Sequence, residues 1–214
     1  MHKLLQFTHK LGTAINKLNT QKQETMRQLV LFLMTMFCLS ASSQSADRLY
    51  DEGKKLYDAK NYTDAFPKLK AAAEKGHKKA QYRLGRCYDK GRGTTENDQL
   101  AFQWYEKSAQ QGYAKAQYQL GDCYKDGDGV DKDKKKAVEW FKKAAAQENA
   151  DAEFALGKAY LKGKGITADQ TQAKKWLKRA VSNEKGGKEI LAELKKEAAD
   201  GDEDAKAILT LIGK

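Results

Sequence analysis

Beyond residue 45 the chain carries a single histidine (His77), two serines (Ser108 and Ser182) and two cysteines (Cys87 and Cys123). Acyl transfer from a serine needs an imidazole within hydrogen-bond reach and a carboxylate to orient it. Nothing in the spacing marks His77 as the partner of either serine; it falls in a turn between repeated segments and reads as a solvated loop residue. A zinc site needs three or four His, Cys or acidic ligands, and Cys87 and Cys123 have no His or Cys neighbours. The loop from Asp126 to Asp133 (DGDGVDKD) has the acidic alternation of a calcium loop. Counted from Asp126, however, it has Val130 at the fifth position and Ala137 in place of the twelfth-position Glu. A turn followed by a helix cap accounts for it better. No catalytic residue, no metal site and no cofactor is expected.

The elements that would position any site are written three times. AQYRLGRCYDKGRG, AQYQLGDCYKDGDG and AEFALGKAYLKGKG begin at Ala80, Ala116 and Ala152, 36 residues apart. The register holds through Gly85, Gly121 and Gly157, through Ala101, Ala137 and Ala173, and through Trp104, Trp140 and Trp176. A fixed period of this size means one supersecondary unit that cannot bury its apolar face alone and is stacked into an array.

Within the first unit, Ala80, Leu84, Cys87 and Tyr88 recur at helical spacing, which predicts a helix from about Lys79 to Lys90. Gly85 inside it is tolerable only where a neighbouring helix comes too close for a Cβ. Gly91, like Gly127 and Gly163, is placed for the left-handed residue that ends a helix. Asn97, Asp133 and Asp169 then supply a short polar cap to a second helix. Its stripe in the first unit is Ala101, Trp104, Tyr105 and Ala109. Cys87 and Cys123 occupy equivalent positions, where Ala159 stands in the third unit. Stacked helices lie about 8–10 Å apart and a disulfide needs Cα atoms within about 7 Å, so both are expected to be free, small, buried residues.

Leu-Gly-x-x-Tyr-x-x-Gly-x-Gly, then Ala-x-x-Trp and Lys-x-Ala, resembles the SEL-one-like repeat, a relative of the tetratricopeptide repeat. The match runs through Leu84-Gly85, Leu120-Gly121 and Leu156-Gly157, with Lys107, Lys143 and Arg179 at the basic position, and covers residues 80–185. The resemblance implies an all-α fold: a right-handed superhelical solenoid of helix–loop–helix repeats, used for protein or peptide contacts and carrying no catalytic residues. It further implies that the first helices line a concave groove, with the residues three before and one after the Gly pointing into it. These are Tyr50/Lys54, Tyr82/Arg86, Tyr118/Asp122 and Phe154/Lys158. An aromatic beside a charge in every repeat suits an extended peptide or glycan chain. The competing reading is that the rings are half-buried packing between repeats while the charges only solvate the surface.

The flanks depart from the pattern. Residues 46–79 align through Gly53, Ala65 and Gly76 but lack Gly-x-Gly, with Lys68 in place of the Trp and Pro67 inside the second helix. This unit is expected to be a degenerate tetratricopeptide-like hairpin, followed by repeats over 80–115, 116–151 and 152–187. Residues 188–214 are expected to be capping helices, since solenoids need polar-faced terminal units.

Leu29 to Leu39 is an uncharged apolar run preceded by Arg27 and followed by small residues, the pattern of a secretory signal peptide. It is shorter than the ~20 residues of a membrane span. Cleavage after Ser43 or Ser45 and a true start at Met26 are expected, giving an exported bacterial protein, periplasmic or secreted, with no stable membrane insertion after cleavage. Phe37 before Cys38 argues against lipidation. The formal charge of +11 raises nucleic acid as a partner, but both signs are interleaved along the repeats, as in Asp131-Lys132-Asp133-Lys134, so none is expected. The resulting reading is a monomeric, non-enzymatic scaffold for a protein or peptide partner. Its rivals are a secreted hydrolase, a binder of cell-wall or β-lactam-like ligands, and a purely structural spacer.

Overall fold

The computed structural model describes residues 26, 28 and 45–214, so the leader reading on residues 1–45 lies outside the described residues apart from those positions. Residues 46–214 form one compact unit. Ten helices run through residues 45–214, and the described residues contain no strand. They are α1 (45–58), α2 (Tyr62–Glu74), α3 (Lys78–Asp89), α4 (Asp98–Gln110), α5 (Ala114–Asp126), α6 (Lys134–Ala145), α7 (Ala150–Lys162), α8 (Gln170–Ser182), α9 (Gly187–Ala199) and α10 (Glu203–Ile212). From α2 to α10 each helix packs on the next, the pattern of a solenoid of hairpins.

Each hairpin is built by the same local rules. In the even-numbered helices, Asn97 Oδ1 accepts from Leu100 N at 2.9 Å, Asp133 Oδ1 from the amides of Lys135 and Lys136, and Asp169 Oδ1 from Gln172 N. These bonds satisfy donors that a helix start leaves orphaned. Asp133 is thereby engaged as a cap rather than as the end of an ion-binding loop. Gly91, Gly127 and Gly163 adopt φ of +58°, +87° and +63° as their helices end, the left-handed turn that glycine adopts at little cost. Pro67 does lie within α2.

The buried glycines place helix against helix. A Cβ on Gly85 would lie 2.7 Å from the Tyr105 ring, on Gly121 2.5 Å from Phe141, and on Gly157 2.7 Å from Leu177. One large side chain from the second helix thus drops onto the glycine of the first, among alanines that are wholly buried (Ala80, Ala116, Ala152). The tryptophans sit one residue before those large side chains and share one environment. Lys107 Nζ stands 4.2 Å over the Trp104 ring, Lys143 Nζ 3.7 Å over Trp140, and the Arg179 guanidinium 5.4 Å over Trp176. The basic residue ahead of the alanine pair therefore covers an indole face.

Stacking of one hairpin on the next uses the second glycine of each Gly-x-Gly loop. Gly93 presses on the Tyr62 carbonyl, Gly129 on that of Asp98 and Gly165 on that of Lys134, each the first residue of the preceding hairpin's second helix. Side-chain amides add a second seam. Gln81 donates to the Ala73 carbonyl at 3.2 Å and accepts from Gln111 Nε2 at 2.7 Å, and Gln117 repeats this with Ala109 and Gln147. In the third hairpin the position holds Glu153, which is fully buried. Asn183 Nδ2 donates to its Oε2 and to the Glu148 carbonyl, both at 3.0 Å, while Arg179 Nε approaches Oε1 at 2.5 Å. That approach lacks the alignment of a hydrogen bond, so Oε1 is held by charge alone. At the C-terminal end Leu194, Ala205, Ile208 and Ile212 close over Leu177.

Two expectations are corrected. His77 is not a solvated loop residue: its Nδ1 accepts from Ala80 N at 3.0 Å as the cap of α3, and its ring stacks on Tyr50 at 4.2 Å. Burial lowers its pKa, against the pull of Asp47, whose carboxylate lies 3.4 Å from Nε2. Tyr50, expected in the groove, is only 8% exposed. Its ring fills the seam that His77 closes.

Candidate functional site

A cavity of about 500 Å³ opens between α5, α6 and α7. Ala137, Val138 and Phe141 of α6 form its floor; Tyr118 and Asp122 stand on the α5 wall, Phe154 and Lys158 on the α7 wall. Both walls belong to first helices of neighbouring hairpins, so the cavity is a seam between two repeats. Tyr118 is tilted against Phe141 with ring centroids 5.8 Å apart, and Lys158 Nζ lies 5.3 Å from the Phe154 centroid. The rings are therefore half-buried packing and cavity lining at once.

Charge is unevenly spread along the seam. Lys125 Nζ bonds Asp122 at 2.5 Å and reaches Asp126 at 3.1 Å. Burial, then the negative charge of Asp122, raises the pKa of Asp151 at one end. The same two causes push the Tyr118 phenol well above its ordinary range. At the other end stand Lys132 and Lys164 from the loops and Lys134 from the start of α6.

Of the eight predicted groove residues, the structure brings Tyr118, Asp122, Phe154 and Lys158 to this one cavity. It does not bring the other four there. Tyr82 is held by Tyr113 at 5.3 Å and Tyr105 at 6.0 Å, and Arg86 beside it is half-buried. Tyr50 is in the core, and Lys54 is exposed with its ammonium 2.7 Å from Asp58. The positional rule missed Asp151 and the loop lysines, because it counted only from the helix glycine. The run from Lys132 to Lys136 next to a Gly-x-Gly loop was the available signal.

Cys87 and Cys123 are free and buried, as expected. Burial pushes their thiols up to about 11 and about 12, so neither is a nucleophile near neutral pH.

The Sel1 repeat model matches residues 78–113, 114–149 and 150–184, the same three hairpins. The chain belongs to the Sel1 repeat family. Among solved structures it is similar to a Sel1 repeat protein from Oxalobacter formigenes, at 32% identity and a TM-score of 0.61 over 75% of this chain and 74% of that one. It is also similar to a protective antigen present in uropathogenic Escherichia coli strains, described as displaying an SLR fold. There the identity is 29% and the TM-score 0.65, over 81% of this chain and 39% of that one. No curated protein sequence matches it significantly. Sel1 repeat proteins are protein–protein interaction scaffolds and are generally non-catalytic. No described helix of this Sel1 chain is long and apolar enough to cross a membrane.

Proposed function

We propose that this Sel1 repeat protein is a non-enzymatic binding module that holds an extended segment of a protein partner in the α5–α7 cavity. The observation that carries the reading is the convergence of Tyr118, Asp122, Phe154 and Lys158, from two repeats, on one apolar-floored cavity. An apolar floor on which polar groups converge is a usual form of a ligand site, and here the rim is strongly charged. The leader pattern of Leu29–Leu39 supports the reading that the protein works outside the cytoplasm, in the cell envelope or secreted. The hairpin of residues 46–79 and α9–α10 act as terminal caps of a monomeric array. The rival hydrolase reading needs an activated nucleophile, and Cys87 and Cys123 are buried with their thiols pushed up by that burial.

The test is a peptide library panned against the immobilised protein, with the selected peptide then titrated into isotope-labelled protein. Amide shifts confined to residues of α5, α6 and α7 support the groove. Shifts on the opposite face reject it. Turnover of peptidoglycan or of a β-lactam by the pure protein rejects the non-enzymatic reading.

A further inference from the structure

The cavity's charges identify the partner chemistry more narrowly. We infer that its occupant is an acidic peptide segment, two or more carboxylates flanking one apolar side chain, with the carboxylates at the loop end of the seam. The inference rests on the groove reading above and deepens it.

The first observation is which charges are already satisfied. Lys125 serves both Asp122 and Asp126, and Lys162 is paired with Asp204 of α10. Lys132, Lys134, Lys158 and Lys164 also line the cavity, and none has an ion-pair partner among the described residues. Against these four cations stand Asp151 and the one negative charge that Lys125 leaves over from Asp122 and Asp126, so the cavity stays net positive. The second observation is where they lie. Asp151 is in the first turn of α7 and Lys158 seven residues on, about 10 Å along the axis. Lys164 follows the end of α7, and Lys132 and Lys134 come from the loop and first turn before α6. The positive charge is thus gathered where two Gly-x-Gly loops meet. A cleft lined by one sign of charge over low-dielectric walls focuses potential on an incoming counter-charge.

The rings decide between a peptide and a stacked ligand. Sugars and bases bind aromatic residues through an open ring face. Here Lys158 stands over Phe154, and Tyr118 is tilted against Phe141. What remains is apolar lining beside the rings, from Val138 and Ala137, which fits an aliphatic or aromatic side chain. Carboxylates on its neighbours then reach the lysines. A basic segment would meet four unpaired ammonium groups, and a neutral one would leave them unanswered.

The experiment uses the full chain and three fluorescein-labelled probes, Asp-Glu-Phe-Asp-Glu, Ser-Gly-Phe-Ser-Gly and Lys-Lys-Phe-Lys-Lys, read by anisotropy. The acidic probe is expected to bind at least about tenfold tighter than the neutral one, and to weaken as salt shortens the ~10 Å screening length of 0.1 M. Lys158→Glu/Lys164→Glu, both on exposed positions, is expected to weaken it about tenfold with an unchanged melting temperature. Lys195→Glu on α9 is expected to leave it unaltered. Equal binding of the neutral or basic probe, abolished by Phe154→Ala, overturns the acidic assignment and leaves the groove standing. Acidic-probe binding that ignores both the lysine pair and Phe154→Ala overturns the groove itself. Polygalacturonate displacing the probe as well as free acidic peptide does overturns the peptide assignment. Failure of all three probes at millimolar concentration overturns both.

Discussion

A Cβ placed on Gly129 would stand 2.2 Å from the carbonyl oxygen of Asp98, in the hairpin before it. The contact is backbone against backbone, so no rotamer change can relieve it, and Gly129 also holds φ at +69°.

Gly129→Ala is therefore expected to destabilise the array by about 3 kcal/mol or more, combining strain at positive φ with a displaced seam. Gly112 at φ +78° has nothing within 4 Å of its Cβ position. Gly112→Ala is expected to cost only about 1 kcal/mol, the conformational part alone. Urea midpoints of the two variants check the difference; equal losses would mean the Asp98 contact does not hold the repeats together.

The buried carboxylate of Glu153 gives a cycle of variants. Arg179→Met leaves that carboxylate without its cation, and since the Arg179 side chain is 44% exposed the usual penalty is discounted to about 2 kcal/mol. Glu153→Gln restores the residue type of Gln81 and Gln117 and is expected to be neutral within about 1 kcal/mol. The double variant should recover most of the loss suffered by Arg179→Met. Thermal melts of all four proteins decide it, and an additive double variant would show that the two residues do not interact.

Stability should show a plateau between about pH 6.5 and 8.5. The lowered pKa of His77 means that the unfolded chain takes up a proton the folded one refuses, so stability falls as pH drops below the ordinary imidazole range. The raised pKa values of Cys87 and Cys123 act at the other edge: the unfolded thiols ionise first, so stability falls as pH rises from the ordinary thiol range towards about 11 and 12. His77→Asn, which replaces the capping Nδ1 with an oxygen acceptor, should flatten the acid side. Cys87→Ala/Cys123→Ala should flatten the alkaline side. In the native protein at pH 8 both thiols should resist an alkylating reagent that labels them at once in urea.

Tyr50→Ala is expected to cost about 3 kcal/mol by opening a cavity beside His77, and to leave peptide binding at the α5–α7 seam unaltered. Lys54→Ala, exposed and lightly paired, should move the melt by less than about 0.5 kcal/mol. If Tyr50→Ala instead lost peptide with an unchanged melt, its ring would belong to the groove and not to the core.

The repeat period, the helix caps and the role of Gly85, Gly121 and Gly157 were legible in the sequence, because each depends on residues near one another in the chain or on register between copies. What register cannot tell is how equivalent positions differ. Tyr50 and Tyr82 occupy the same place in their units, yet Tyr50 is sealed by His77 whereas Tyr82 leans on Tyr105 and Tyr113. The pressing of Gly93, Gly129 and Gly165 on the preceding hairpin was likewise hidden, although the glycines themselves were plain. Those contacts span about thirty residues and involve backbone carbonyls, which no side-chain pattern encodes. Lys132 and Lys164 come from loops and Lys134 from a helix start, positions at which the three copies share no residue type, so register carries no sign of them.

Near-identical hairpins carry a hazard of their own during folding, since any one could dock where another belongs. Gln81 and Gln117 each donate an amide N–H to the alanine carbonyl of the hairpin before and accept from Gln111 and Gln147, whereas Glu153 keeps only the accepting half, from Asn183. Docked onto the surface that receives α5, the third hairpin would offer no side-chain N–H to the Ala109 carbonyl that Gln117 answers. Glu153 thereby acts as an address label for the third hairpin, whose seam is closed by Arg179 and Asn183 and not by the amide pairs of its neighbours.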